Sequence, residues 1–279
     1  MLKIDVESFD LGRTLGCGQA FRWRRSGGGW FGVSGNTPIY ASQDGKTLLL
    51  DCRESDEDYW KRYFALDADY TGLETLLASD PMTAPCLECS AGIRVLRQQP
   101  FETLISFIIS ANNNVGRISG IIERLCVLCG ERGEYGGREY FGFPQPESVA
   151  ALEESALVGI CAGYRAPYII KSAQKVADGY DIEALRKLDF DSARRELLTF
   201  SGVGPKVAEC VMLFSLGFDA AFPVDVWIKR VVEVLEPEGG ADAAGRCAHR
   251  FGSMAGAAQQ YLFNYARIKG LGKGKTKTQ

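Results

Sequence analysis

The chain has 279 residues, 46% of them hydrophobic and 24% charged, with a formal net charge of −3. It is long enough to bury a full core as one large domain or two ordinary ones. No window approaches the roughly 18 consecutive apolar residues of a membrane span, and the start MLKIDVESFD lacks a basic-then-apolar leader, so a soluble intracellular protein is expected, with no membrane partner.

The weakly acidic total argues against a nucleic-acid partner only until local charge is considered. FRWRR clusters three arginines, and the tail carries Lys269, Lys273, Lys275 and Lys277 without an acid. The nine cysteines are odd in number and scattered, which fits a reducing compartment. Cys86/Cys89 and Cys126/Cys129 have metal-type spacing. However, 36 residues separate the pairs and the second lies in the apolar run IIERLCVLC, so buried thiols are expected rather than zinc.

In chain order, AFRWRR and WFGVSG read as short aromatic strands, and TPIYASQDGKTLLLDC as two strands around a hairpin signal at Asp44-Gly45. From about Ser55 the apolar period becomes helical. SDEDYWKRYFAL, GLETLLAS, FETLISFIIS, GRISGIIERLCVLCG, PESVAALEE, YIIKSAQKVADG, SARRELLTF, PKVAECVMLFSLG, DVWIKRVVEVL and AQQYLFNYARIK all fit helices. The fold class read from this pattern is α+β. An N-terminal antiparallel sheet with short helices (residues 1–90) packs on a large helical body (residues 91–279).

The segment from 189 to 235 carries the most chemistry. Asp191 or Ser192 can cap a helix, Gly202 and Gly204 permit a tight hairpin around Val203, and Pro205 suits the first turn of a second helix. This helix, hairpin and helix occupy about residues 191–217. Unpaired N–H groups at such a turn favour an anion, and a DNA phosphate fits without any base being read. Lys206 stands in that first turn, where the helix dipole disfavours a cation, so work for its amine is expected. A free lysine is neutral only about once in 2,500 molecules at pH 7, so a nucleophilic role requires burial and the helix end to favour the neutral amine. Cys210 shares the face of Lys206. Asp225, after Pro223 and Val224, is expected to cap the next helix and to stabilise positive charge on a sugar as its base departs.

At these residues the segment resembles the helix-hairpin-helix DNA glycosylase superfamily. Lys206, with Asp225 nineteen residues later, resembles its bifunctional branch. GIRVLRQQPFETLISFIISANNNVGRISGIIERLC, GQAFRWR, GYRAPYI and AQQYLF are similar to the 8-oxoguanine DNA glycosylases, and the likeness runs from about Gly18 to Phe263.

The resemblance implies a base-excision repair enzyme that flips damaged guanine out of duplex DNA, attacks the sugar with Lys206, and cleaves the strand through a Schiff base and β-elimination. It implies that the Gly18 carbonyl accepts the N7–H unique to the lesion, that Phe263 and Cys210 sandwich the base, and that Gln259 reads its Watson–Crick edge. Asn112, Arg117, Tyr164 and Arg165 would fill the vacated stack and hold a partner cytosine. A monomer without a cofactor is expected, apart from a monovalent or calcium ion that the family often holds at hairpin carbonyls near Gly202 and Gly204.

Departures are Trp227, where the family often has histidine, which puts a phosphate contact in doubt, and Ala20 for a common serine. The single histidine, His249, is assigned no role. Only Cys247 follows Asp225, which excludes a four-thiolate iron–sulfur cluster there. Two alternatives stay open: a bifunctional glycosylase for another oxidised base, and a catalytically silent hairpin protein that binds DNA.

Overall fold

A computed structural model describes residues 1–237 and 240–271; Lys273, Lys275 and Lys277 of the basic tail lie outside the described residues. Five antiparallel strands form the N-terminal sheet in the order β1-β5-β4-β3-β2: β1 (Leu2–Asp5), β2 (Trp23–Ser26), β3 (Gly29–Ser34), β4 (Thr37–Asp44) and β5 (Thr47–Asp51). Asp44 pairs with Thr47, so the two-residue turn is Gly45-Lys46, one residue beyond the Asp44-Gly45 signal. Alternate residues Ile39, Ala41, Leu48 and Leu50 point to one face. They pack on α1 (Leu11–Gly16) and α2 (Glu57–Tyr63), whose Trp60 is fully buried.

The remaining helices are α3 (Thr71–Ser79), α4 (Ala84–Ser90), α5 (Pro100–Ser110), α6 (Val115–Cys129), α7 (Pro146–Ala150), α8 (Glu154–Gly159), α9 (Ala166–Ala177), α10 (Phe190–Leu198), α11 (Pro205–Val211), α12 (Val226–Leu235), α13 (Ala243–Phe251) and α14 (Ala255–Ile268). They build two cores. One joins α5 and α6 to α7 through α11; the other joins α3 and α4 to α12, α13 and α14. Residues 71–90, grouped by sequence with the sheet, therefore bury their apolar faces against the C-terminal helices. Cys86 lies in the second core and Cys126 in the first, so the two cysteine pairs do not meet.

Three elements carried no clear sequence signal. The edge strand β1 is only four residues long, and β6 (Arg132–Tyr135) with β7 (Arg138–Phe141) forms a hairpin inside the helical body. PKVAECVMLFSLG is helical, but its second half, Met212–Leu216, widens to a π-turn that ends at Gly217. There the Ser215 hydroxyl donates to the Val211 carbonyl at 2.6 Å, and the Phe214 carbonyl accepts from the Gln98 N–H at 2.7 Å.

The turn after α1 ties the whole together. Cys17 packs in the C-terminal core, Ala20 in the sheet core and Phe21 in the central helical core. The three cores meet at this short segment.

Burial also sets an alkaline limit on the fold. It pushes the thiols of Cys17 and Cys210 up to about 11, and those of Cys86, Cys126 and Cys247 to about 12. Between pH 9 and 11 the unfolded chain releases these protons while the native state keeps them, so stability falls as pH rises. The melting temperature is expected to drop between pH 8.5 and 10.5, and replacing Cys126 by alanine should reduce that drop.

Candidate active site

The hairpin between α10 and α11 is shaped by a few residues. Asp189, not Asp191 or Ser192, caps α10: its carboxylate accepts the Ser192 N–H at 2.9 Å, because the helix starts two residues earlier than the apolar period implies. Gly202 has φ of +78°, and a Cβ there would lie 2.7 Å from the Tyr168 side chain, so only glycine fits. Pro205 opens α11, and among the described residues the N–H groups of Gly202, Gly204, Lys206 and Val207 have no partner. The Phe200, Ser201 and Gly204 carbonyls already accept hydrogen bonds. Those of Gly202 and Val203 accept none among the described residues, and each of the other three keeps a second lone pair.

From the second residue of α11, Lys206 reaches into a cavity of about 460 Å³. Its Nζ donates to the Ser110 hydroxyl at 3.3 Å and lies 4.9 Å from the centre of the Phe107 ring. Phe107 in turn stacks on Phe214 at 5.4 Å. One turn along α11, Cys210 is 2% exposed; burial raises its thiol to about 11, opposed by the nearby Lys206 charge. It is therefore an apolar wall rather than a rival nucleophile.

Asp225 does cap α12. Its Oδ1 accepts the N–H groups of Trp227 at 2.9 Å and Ile228 at 3.0 Å, which holds the carboxylate at the cavity wall. Gln259 and Phe263, one turn apart on α14, line the same space, with Gln259 3% exposed. Gly18 closes it with φ of +90°; a Cβ there would meet Arg267 Nη1 at 2.9 Å and the Phe263 ring at 3.4 Å. Arg267 holds this turn, donating from Nη1 to the Gly16 carbonyl at 3.1 Å.

Six residues singled out from sequence, Gly18, Lys206, Cys210, Asp225, Gln259 and Phe263, thus line one cavity. Sequence reasoning missed Phe107, Ser110, Phe214, Gln260 and Arg267, which sit on helices whose spacing reads as ordinary core or solvated face. Trp227, noted only as a departure, lines the cavity as well.

The other proposed group gathers at the junction of α5 and α6. Asn112 adopts φ of +50° and donates to the Tyr164 hydroxyl at 3.2 Å; both residues are exposed. Asn114 caps α6 by accepting the Arg117 N–H at 3.0 Å, and the Arg117 side chain is exposed. Arg165 is different, being 4% exposed beneath the Tyr164 ring. Its Nε and Nη2 donate to the Ala111 carbonyl, Nη2 also to that of Asn112 and Nη1 to that of Ala162. One of its five N–H groups is left. In this arrangement Arg165 braces the Ala111–Asn112 turn, while the exposed Arg117 guanidinium has no partner among the described residues.

Residues 1–104 match the profile of the 8-oxoguanine DNA glycosylase N-terminal domain, and residues 105–252 that of the HhH-GPD superfamily base excision DNA repair proteins. A probable N-glycosylase/DNA lyase of Methanothermobacter thermautotrophicus is 33% identical over 97% of both chains. The chain belongs to the 8-oxoguanine DNA glycosylase family. N-glycosylase/DNA lyase OGG1 of Arabidopsis thaliana is 32% identical, over 94% of this chain and 78% of its own. Among solved structures, the 8-oxoguanine glycosylase/lyase of Clostridium acetobutylicum, bound to duplex DNA with cytosine opposite 8-oxoguanine, superposes with a TM-score of 0.89. It is 33% identical over 97% of this chain and 99% of its own. Membership in this family accounts for the sheet-on-helices α+β architecture and for the hairpin.

Proposed function

We propose that the protein is a base-excision DNA glycosylase and AP lyase that removes 8-oxoguanine opposite cytosine from duplex DNA. The observation that carries the reading is the single cavity in which an amine, a fixed carboxylate, an amide and two apolar walls converge. Its volume is in the range of sites that enclose a small organic group.

The lesion must leave the stack to be reached, and the cavity receives the flipped base. Phe263 and Cys210 cover its two faces, Gln259 meets its Watson–Crick edge, and the Gly18 carbonyl accepts the N7–H. Ordinary guanine has a lone pair at N7, and two buried acceptors face to face are penalised. Once its ammonium has given up a proton, the Lys206 amine attacks C1′ as the bond to N9 breaks, and the base departs with the electron pair and takes up a proton. The Asp225 carboxylate stabilises the positive charge on the sugar meanwhile. Loss of the amine proton and ring opening give the Schiff base. Removal of a C2′ proton then expels the 3′ phosphate.

The reading needs no cofactor, since the amine supplies the covalent chemistry. The reading takes the protein to act as a monomer. The unpaired N–H groups at Gly202, Gly204 and Lys206 would bind a backbone phosphate. Asn112 and Tyr164 would fill the gap in the duplex, braced by Arg165. A genomic DNA substrate goes with an intracellular location, and no helix among the described residues is long and apolar enough to cross a membrane.

Single-turnover excision from duplexes carrying 8-oxoguanine, an oxidised pyrimidine or undamaged guanine opposite cytosine tests the reading. Fast release of 8-oxoguanine alone supports it; equal or faster release of the pyrimidine would move the assignment to another lesion, and no release at all to a silent binder. A second expectation concerns Arg117, whose exposed donors suit the acceptors of cytosine. Arg117→Ala is expected to reduce the preference for cytosine over adenine opposite the lesion by about tenfold, in line with a charge-assisted pair of hydrogen bonds. An unchanged preference would exclude Arg117 from opposite-base choice.

A further inference from the structure

Gln260 follows Gln259 on α14 and is equally buried, at 3% exposure. Its Nε2 donates to Gln259 Oε1 at 2.9 Å, while Gln259 Nε2 donates to the Pro223 carbonyl at 3.1 Å. A peptide carbonyl can only accept, so the Pro223 contact decides which end of the Gln259 amide is nitrogen. The Gln259 oxygen must then face Gln260, which presents its own nitrogen and leaves its oxygen toward Cys17.

Cys17 Sγ stands 3.4 Å from Gln260 Oε1 and 3.2 Å from the Thr14 carbonyl, sharing its one proton between two acceptors. Burial raises this thiol to about 11, so the proton stays. Gln19 Nε2 donates to Cys17 Sγ at 3.3 Å and to the Arg94 carbonyl at 2.7 Å. The chain of side chains from Gln19 through Cys17, Gln260 and Gln259 to Pro223 joins three walls of the cavity. These are the turn bearing Gly18, helix α14, and the segment leading to Asp225.

We propose that Gln260 is a specificity-determining positioning residue: holding the oxygen end while the Pro223 carbonyl holds the nitrogen end, it completes the lock on the Gln259 amide, so that a base in the cavity meets one N–H and one oxygen lone pair at fixed places. An amide free to turn over would exchange donor and acceptor. It would then accept the edge of an adenine, whose N1 is an acceptor and N6 a donor, as well as that of a guanine, whose N1 is a donor and O6 an acceptor. Gln260 spends its amide on Gln259 and Cys17 and acts through its neighbour. The inference rests on Gln259 as the reader of the base edge.

The test compares single-turnover excision of 8-oxoguanine and 8-oxoadenine, both opposite cytosine, by the intact protein and by Gln260→Met, Gln259→Ala and the double variant. Borohydride trapping on a preformed abasic site, which has no base to read, serves as the second readout. Gln260→Met is expected to lower the preference for 8-oxoguanine about tenfold, as expected when one buried hydrogen-bonding group no longer enforces its partner, with abasic-site trapping unchanged. In the Gln259→Ala background the same change should add nothing. Cys17→Ala, which removes the donor to Gln260, provides the same comparison in weaker form if Gln260→Met does not fold. An unchanged preference, a parallel fall in abasic-site trapping, or a full effect without Gln259 would overturn the proposal. If Gln259→Ala alone leaves the preference intact, the assignment of Gln259 as reader fails, and the proposal with it.

Discussion

Lys206→Gln is expected to abolish both base excision and strand cleavage, with a loss on the order of 10^4-fold or more, as when a covalent nucleophile is removed. The variant should fold normally. Lys206 is half-buried, its hydrogen bond to Ser110 is a 3.3 Å contact, and glutamine keeps most of its length. Binding of lesion-bearing duplex should persist, because the unpaired hairpin N–H groups do not depend on the side chain. Electrophoretic mobility shift beside single-turnover excision separates the two properties. Excision within about tenfold of the intact protein would mean that water or another group attacks the sugar.

Asp225→Asn should produce the second largest effect, and it isolates charge from structure. Asparagine is as good a helix cap as aspartate, so the hydrogen bonds to Trp227 and Ile228 survive and stability changes by less than about 1 kcal/mol. The negative charge facing the sugar is lost, and with it about 10²- to 10³-fold in excision rate, the usual worth of one fixed electrostatic group at a developing charge. Asp225→Ala should match that rate loss and add a destabilisation of about 1 kcal/mol. Thermal melts and excision rates for the two variants check both halves. If Asp225→Asn kept full activity, the carboxylate would be a cap and nothing more.

Lys206 and Asp225 were readable in the sequence because their context is local. Two glycines, a proline and the following helix start place a lysine at a costly position within a few residues. Gly18, Gln259 and Phe263 are another matter, since each is bland alone and gained a role only through resemblance over nearly the whole chain. What brings them together is tertiary: segment 17–21 is where the three cores meet, and no periodicity within a window reports that. The same limit hid Phe107, Phe214 and Ser110, whose helical spacing is that of any buried face. Gln260 escaped because its role depends on a hydrogen-bond path through Cys17 and Pro223, far away in the chain.

The errors of detail have physical causes too. The α10 cap was placed two residues late because apolar spacing marks a helix interior better than its first turn. Arg165 carries a second job that the sequence does not announce: its guanidinium donates to three carbonyls and braces the folded turn at Ala111 and Asn112. Short elements such as β1 and the β6–β7 hairpin have too few residues for a period to emerge. The boundary near residue 90 grouped the short helices α3 and α4 with the sheet they follow in sequence, whereas these helices find their apolar partners on α14 and its neighbours.

The central claim is that the Lys206 amine bonds covalently to the sugar of an excised 8-oxoguanine. Borohydride reduction of the protein on a labelled duplex with 8-oxoguanine opposite cytosine tests it directly, with peptide mapping of the trapped complex. The expected result is one adduct that forms on the lesion and not on undamaged duplex, and that maps to Lys206. No adduct from folded protein that still excises the base, or an adduct at another residue, would contradict the account.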